Sequence, residues 1–190
     1  HILVPRISLI IILLAAGLTT TTTRAHGLEL AAVEAALCEE VVTVQELGVS
    51  EPTLLPSSPF YFFKNFGRGI QRVFTFNPVK KAELELRFAD ETIAEAKKLA
   101  ETSPEREDAL RRAIENYRAT QERLKSRLGA LGDAAQNPSV DRLLEKLADR
   151  TVKHEKLFEE LQERFADSSA LGAEIEKSKE GVEESVAAAA

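Results

Sequence analysis

The sequence predicts an all-α protein: an antiparallel up-down-up bundle of three long helices, with a short aromatic helix packed at one end. The first observation behind this prediction is that four prolines follow a Ser or Asn, and each pair opens a stretch with helical periodicity. Ser and Asn are favoured N-cap residues, and proline at the first helical position gives up no hydrogen bond. The pairs are Ser58-Pro59, Asn77-Pro78, Ser103-Pro104 and Asn137-Pro138.

The second observation is the spacing of the apolar residues, which step by three and four through each long stretch. This spacing places them on one helical face that must be buried against a partner. It predicts long helices at 78–101, 104–131 and 138–165. The third observation is that the connections between these helices are short, and short connections make neighbouring long helices antiparallel.

The short first helix is predicted at 59–74, and seven of the chain's eleven aromatic residues lie between positions 57 and 81. Phe60, Tyr61 and Phe63 lie off its apolar face, so we regard them as the candidate partner contact. Gly67 and Gly69 each cost a helix up to about 1 kcal/mol relative to Ala. We prefer the interpretation that another backbone or an aromatic ring approaches them closely; the alternative is a kink. The apolar face itself steps by four and is predicted to close one end of the core: Phe62, Phe66, Ile70 and Phe74.

Residues 1–25 are predicted to be an export signal, because the apolar run Ile7–Leu18 follows Arg6 and small residues precede a cleavage position after Ala25. The run has twelve residues, whereas a membrane-spanning helix needs about twenty. A short retained hydrophobic anchor is the alternative, and it would bring the chain into contact with a membrane.

The bundle domain is expected at 59–168, with two less regular segments beside it. Residues 26–58 are predicted to contain a weak helix, a capping box at Thr43–Glu46 that Gly48 terminates, and an extended proline-containing linker. Residues 169–190 are predicted to form a weakly helical C-terminal tail.

Composition and motifs argue against several classes of function. The net charge of −6 is modest and well mixed, so no basic face for nucleic acid is expected. The sequence contains no recognisable arrangement for nucleophilic catalysis, phosphate binding or paired-carboxylate chemistry. We therefore predict that the protein is not an enzyme and takes no cofactor, metal or small-molecule substrate.

Three single residues need an interpretation of their own. Thr151 and His154 lie on the apolar stripe of the last long helix, where we expect polar core residues that fix helix register. A metal at His154 would need further ligands on facing helices. Cys38 is the one cysteine, so no internal disulfide is possible. We expect it to be a small buried residue, with an intermolecular disulfide as the alternative.

Three short motifs carry a resemblance to a known family: Leu55-Pro56-Ser57-Ser58-Pro59-Phe60, Thr75-Phe76-Asn77-Pro78 and Lys81-Ala82-Glu83-Leu84. By this pattern the chain resembles an uncharacterised bacterial family of exported helical domains, over roughly residues 43–165. The resemblance implies a secreted or surface location and a helical fold. It implies no reaction, because the family has none assigned.

These observations favour a non-catalytic structural or interaction protein exported to the bacterial cell surface. It would self-associate through helical and aromatic surfaces, or bind another surface protein. The alternative is a membrane module that is anchored by Ile7–Leu18 or touches lipid through its aromatic helix. Only three basic residues of that helix could attract anionic lipid: Lys64, Arg68 and Arg72. A periplasmic chaperone-like cradle ranks third, since the helical stripes are expected to cover one another.

Overall fold

The computed structural model describes residues 41–131 and 137–187. Within these ranges the chain is all-helical and contains no β-strand, which confirms the prediction of an all-α protein. Its elements are a short 3-10 helix at Val44–Leu47 and five α-helices: α1 at Tyr61–Phe74, α2 at Pro78–Thr102, α3 at Glu107–Gly129, α4 at Pro138–Arg164 and α5 at Ser169–Ala187.

Asparagine caps start two of the long helices where the sequence predicts. The side-chain oxygens of Asn77 and Asn137 accept backbone N–H groups of the first turns of α2 and α4, at 3.0 and 2.9 Å. The two serine–proline pairs act differently, because their helices begin two or three residues after the proline, at Tyr61 and at Glu107. Neither of those starts has a side-chain cap.

The segment before α1 is held by the predicted capping box. Thr43 donates its backbone N–H to the Glu46 carboxylate at 2.6 Å, and Gly48 ends the turn in the left-handed conformation with φ 64°. Val44 and Leu47 are buried in the bundle core. The turn is therefore an integral part of the packed domain.

Four long helices form the bundle, where the sequence predicts three. α2 packs against α3 and α4, and α5 packs against the same two helices, so α3 and α4 lie diagonally opposite. α2 and α4 run in the same direction, because Asp90 contacts His154 while Lys97, farther along α2, contacts Glu160. The connection between α2 and α3 is short, and those two helices are antiparallel.

The fourth helix corrects the prediction of a weakly helical tail at 169–190. Leu171, Ile175 and Val182 of α5 are all but inaccessible to solvent and belong to the main core cluster. Without α5, α3 and α4 would be covered by α2 on one side only. α5 covers them on the other side. The polar residues between these apolar positions weaken the periodicity in the sequence, yet the fold buries the stripe.

A polar layer crosses the bundle between two apolar clusters. The smaller cluster contains Leu86 and Leu124, and the larger contains Ile93 and Leu157. Between them lie four buried polar side chains from α2, α3 and α4: Asp90, Gln121, Thr151 and His154.

None of the helices within the described ranges combines the length and the apolar character needed to cross a membrane. The predicted export segment Ile7–Leu18 and the single cysteine, Cys38, lie outside those ranges.

Candidate interaction surface

Helix α1 turns its polar side toward the bundle. Tyr61 and Arg68 are buried, and with Lys64 and Arg72 they lie against the carboxylates of α2. In the sequence these cations step by four on the side of the helix opposite the phenylalanines. α1 therefore contacts the domain chiefly through charged and hydrogen-bonding groups.

Glu95 is the centre of this contact. Its side chain is fully buried, and its two oxygens accept from Tyr61 Oη at 2.5 Å, Arg68 Nη2 at 2.7 Å and Lys64 Nζ at 2.8 Å. Arg68 also donates through Nε and Nη2 to Glu91, at 3.2 and 2.9 Å. A buried carboxylate needs such partners, because an unpaired charge away from water is strongly destabilising.

These contacts change the acid–base properties of both α1 residues. Burial, followed by the negative charge of Glu95, raises the pKa of the Tyr61 hydroxyl well above its usual value. Burial by itself would disfavour the Arg68 cation, but the charges of Glu95 and Glu91 outweigh it and raise the pKa of Arg68. Both groups therefore stay protonated while α1 is docked.

A second cluster fixes the C-terminal half of α1. Arg72 donates two hydrogen bonds to Glu85, at 2.7 and 2.9 Å, and Arg123 of α3 lies 3.5 Å from the same carboxylate. The guanidinium carbons of Arg68 and Arg72 lie 5.5 and 4.7 Å from the centre of the buried Phe88 ring. Phe88 thus gains cation–π contacts beneath the docked helix.

The opposite side of α1 is an exposed apolar surface, and this corrects the prediction that its phenylalanines close the core. We call it the aromatic face. Its side chains are between 42% and 72% exposed: Phe62, Phe63, Phe66, Ile70, Val73 and Phe74. The sequence analysis assumed that the apolar side of an amphipathic helix packs inward. Here the buried carboxylates of α2 bind the basic side, so the apolar side is left in solvent.

A groove of about 500 Å³ lies on the aromatic face, and its lining residues are Asn65, Phe66, Gly69, Ile70, Val73 and Phe74. A Cβ atom added at Gly67 or Gly69 would meet no described atom within 4 Å. α1 is one uninterrupted helix through both positions. No close approach inside the described domain therefore explains the two glycines.

One comparison with known proteins gave a match, and that match covers both α1 and the helices of the bundle. A family model described as a domain of unknown function, DUF5667, matches residues 53–185. The chain belongs to this family. The DUF5667 domain therefore begins just before α1 and ends within α5, so it includes the docked helix and the fourth bundle helix. Neither the curated proteins nor the solved structures gave a match to the chain.

Of the three residues predicted to contact a partner, two are exposed and one is buried. Phe60 and Phe63 are exposed, at 61% and 57%. Tyr61 is buried and bonded to Glu95, so it is unavailable to a partner.

The sequence analysis missed Glu85, Glu91 and Glu95. Glu91 and Glu95 lie one turn apart on α2, and such a like-charged pair in the sequence is itself a signal that a cation lies between them.

The predicted core residues Thr151 and His154 both lie in the polar layer. Thr151 donates to the carbonyl oxygen of Leu147, one turn earlier in α4, at 2.9 Å. His154 has a partner on each ring nitrogen, with Nδ1 2.9 Å from Tyr117 Oη and Nε2 2.9 Å from Asp90 Oδ1. The histidine thereby links α4 to both α3 and α2.

The donor and acceptor of each hydrogen bond in the polar layer can be assigned by starting from Gln121. Gln121 Nε2 donates to Tyr117 Oη at 2.5 Å, which leaves the hydroxyl proton for His154 Nδ1 and the Nε2 proton for Asp90. Arg150 Nε lies 3.4 Å from the other Asp90 oxygen. The phenol, the imidazole and the carboxylate thus all have partners within the layer, so the arrangement is suited to holding helices in register.

No group of three or more His, Cys, Asp or Glu side chains is placed to hold a metal ion in the part of the chain that the structure describes. The two clusters of buried polar residues are instead closed by cations, amides and hydroxyls of the same chain. The aromatic face, in contrast, is exposed to solvent.

Proposed function

We propose that this DUF5667 protein is a non-catalytic interaction protein of the bacterial cell surface, and that the aromatic face of α1 is its protein-binding surface. One observation carries the proposal: α1 is bound to the bundle by its charged side, and its phenylalanines point away from it. A helix fixed in this way presents apolar side chains on a rigid support, which reduces the entropy lost on binding.

The size of the exposed surface supports a binding role. The six phenylalanines from Phe60 to Phe76 are between 57% and 79% exposed. At roughly 200 Å² for a phenylalanine, they alone expose on the order of 800 Å². The largest apolar patch of a typical monomer is about 300–600 Å², and larger patches mark interaction sites.

The short motifs of the resemblance support a role that other family members share. Leu55-Pro56-Ser57-Ser58-Pro59-Phe60 lies immediately before α1, and Thr75-Phe76-Asn77-Pro78 joins α1 to α2. We propose that these motifs fix the two ends of the docked helix. Export rests on the sequence of residues 1–25, with its apolar run and cleavage position.

Position-specific photo-crosslinking tests the binding surface. A photoreactive residue replaces Ile70 on the aromatic face, and in a matched control it replaces Gln71, one residue away on the side of the helix. The full chain is irradiated in its native cells. We expect protein adducts from position 70 and few from position 71. An absence of protein adducts at position 70, with the chain present and folded, would refute the proposal.

A membrane-surface module is the second candidate, because exposed phenylalanines also suit a lipid interface. Interfacial helices combine such a face with a Lys/Arg-rich one that attracts anionic lipid. Here Lys64, Arg68 and Arg72 are all paired with carboxylates of α2. Flotation of the chain from His26 onward with liposomes of mixed neutral and anionic lipid tests this candidate, and co-flotation would support it.

The chaperone-like cradle remains the third candidate. It requires an extended concave apolar surface, whereas most of the large exposed apolar residues of the described domain lie on the single helix α1. Suppression of the aggregation of an unfolded client protein would support it.

A further inference from the structure

We infer that the partner of the aromatic face is a second copy of this chain, whose α1 packs antiparallel on the first α1 across a two-fold axis. This inference rests on the proposed function and names its partner. The six exposed phenylalanines are four on the aromatic face and one beyond each end of α1, Phe60 and Phe76. Two copies that cover all six would bury up to about 1,600 Å², which is the size of a standard stable interface.

The groove at Gly69 is shaped to receive a side chain. Phe66, Gly69, Ile70 and Val73 occupy positions i, i+3, i+4 and i+7, the four residues that surround a hole in knobs-into-holes packing. Glycine at one corner deepens the hole, at a cost of about 1 kcal/mol to the isolated helix. Because nothing in the described chain uses that space, we assign it to a side chain of the second copy.

The sequence of the face is self-complementary when two copies run antiparallel. With the two-fold axis near position 68, Phe66 lies opposite Ile70 of the second copy, and Phe62 lies opposite Phe74. An isologous contact of this kind brings each pair together twice. The bundles then lie on the outer sides of the helix pair, because each α1 is bound to its own bundle by the opposite side.

Charge also favours a second copy. The polar residue that lines the groove is the uncharged Asn65, and the nearest cations of α1 are turned inward and neutralised by Glu85, Glu91 and Glu95. Two copies can approach without repulsion between like charges. The same neutralisation removes the attraction to an anionic bilayer that an interfacial helix normally relies on.

Sedimentation velocity of the full chain under reducing conditions tests the inference, since reduction removes any dimer linked through Cys38. We expect a reversible dimer. Gly69→Leu should fill the hole and raise the dimer dissociation constant at least about tenfold, or about 1.4 kcal/mol. The matched control is Gly172→Leu, because Gly172 lies in α5 and has equally open space around it. It should change the dissociation constant by less than about twofold.

A charge pair tests the antiparallel register. Phe66→Lys and Ile70→Glu change exposed side chains, so both variants should fold, as circular dichroism can check. Each alone should be mainly monomeric. An equimolar mixture should form a heterodimer, since the new ammonium group at position 66 of one variant meets the new carboxylate at position 70 of the other. Absence of mixed dimers would overturn the antiparallel arrangement.

Two further outcomes separate this inference from the proposed function. A wild-type chain that stays monomeric at all concentrations, while position 70 forms adducts with another protein, overturns the second copy and leaves the binding surface standing. A monomer whose thermal stability falls in Gly69→Leu would mean that another part of the same chain already fills the groove. That result overturns both the second copy and the open binding surface.

Discussion

At the scale of single residues, the chain holds its charged groups in the interior by supplying several partners to each. Glu95 receives a phenol, a guanidinium and an ammonium group, and Asp90 receives an imidazole and a guanidinium. Breaking such a buried pair by removing one partner typically costs about 3–5 kcal/mol, because the other charge is left in the protein interior. Exposed pairs elsewhere on the bundle contribute much less.

The two tyrosines provide a prediction at high pH. Tyr61 and Tyr117 are the only tyrosines of the chain and both are buried. Burial raises the pKa of each hydroxyl well above the usual value of about 10, in Tyr61 with help from Glu95. The folded state then binds more protons than the unfolded state, so this stabilisation is complete below about pH 10 and is lost as the pH rises beyond it.

Ultraviolet absorbance of tyrosinate checks this prediction directly, since the chain contains no tryptophan. We expect the folded protein to show almost no ionisation at about pH 10, and the protein in urea to be about half ionised there. Tyr61→Phe should remove one of the two raised pKa values and make the fall in stability at higher pH less steep. Free titration of one tyrosine near its usual pKa in the folded chain would contradict the burial.

At the scale of one element, α1 shows that amphipathic character does not by itself fix which side of a helix is buried. Its apolar and basic sides are nearly opposite, and either could face a bundle. Glu85 and Glu95 are almost fully buried on α2 and need cations. Placing the basic side inward satisfies those carboxylates, whereas placing the phenylalanines inward would leave Glu95 without a cationic partner and Glu85 with Arg123 alone. This orientation leaves the aromatic face exposed to water, which is unfavourable. A partner that covers the face would offset that cost.

The docking of α1 can be tested by removing Arg68, which contacts both Glu91 and Glu95. In Arg68→Ala we expect α1 to detach and its amide hydrogens to exchange roughly 100- to 1,000-fold faster, because the buried Glu95 and the partly buried Glu91 lose their shared partner. Hydrogen exchange read by mass spectrometry measures this. The protein concentration is kept as low as the method allows, so that self-association does not protect the helix.

Arg112→Ala provides the control for that experiment. Arg112 pairs with Asp108 on the surface of α3, with both side chains more than half exposed. Its loss should leave the exchange of α1 unchanged, since exposed pairs contribute about 1 kcal/mol or less. Equal protection of α1 in the wild type and in Arg68→Ala would show that the contacts of Arg68 are not needed to hold the helix.

At the scale of the whole molecule, the bundle is completed by its last helix. α5 packs against α3 and α4, and the family match extends into it. Lys179 of α5 lies 3.9 Å from Glu159, and Gln162 donates to Glu176 at 3.2 Å, so α4 and α5 are antiparallel. The polar layer links the other three helices through His154, which contacts Tyr117 of α3 and Asp90 of α2.

Ile175→Ala distinguishes a core helix from a loosely attached tail. Ile175 is fully buried, so we expect this substitution to lower the free energy of unfolding by about 2–5 kcal/mol. The neighbouring Glu176 is exposed, and Glu176→Ala should change the free energy by no more than about 0.5 kcal/mol. Urea unfolding followed by circular dichroism measures both. Equal stability of the two variants would mean that α5 is not part of the cooperative core.

The sequence by itself determined the helical class, the asparagine-capped starts of α2 and α4, and the capping box at Thr43. These features depend on interactions within a few residues of the chain, so local patterns specify them. Only the tertiary structure decided that α5 belongs to the core and that α1 turns its phenylalanines outward. Those outcomes depend on groups far apart in sequence, such as Arg68 and Glu95, whose charges must be paired once the bundle buries them.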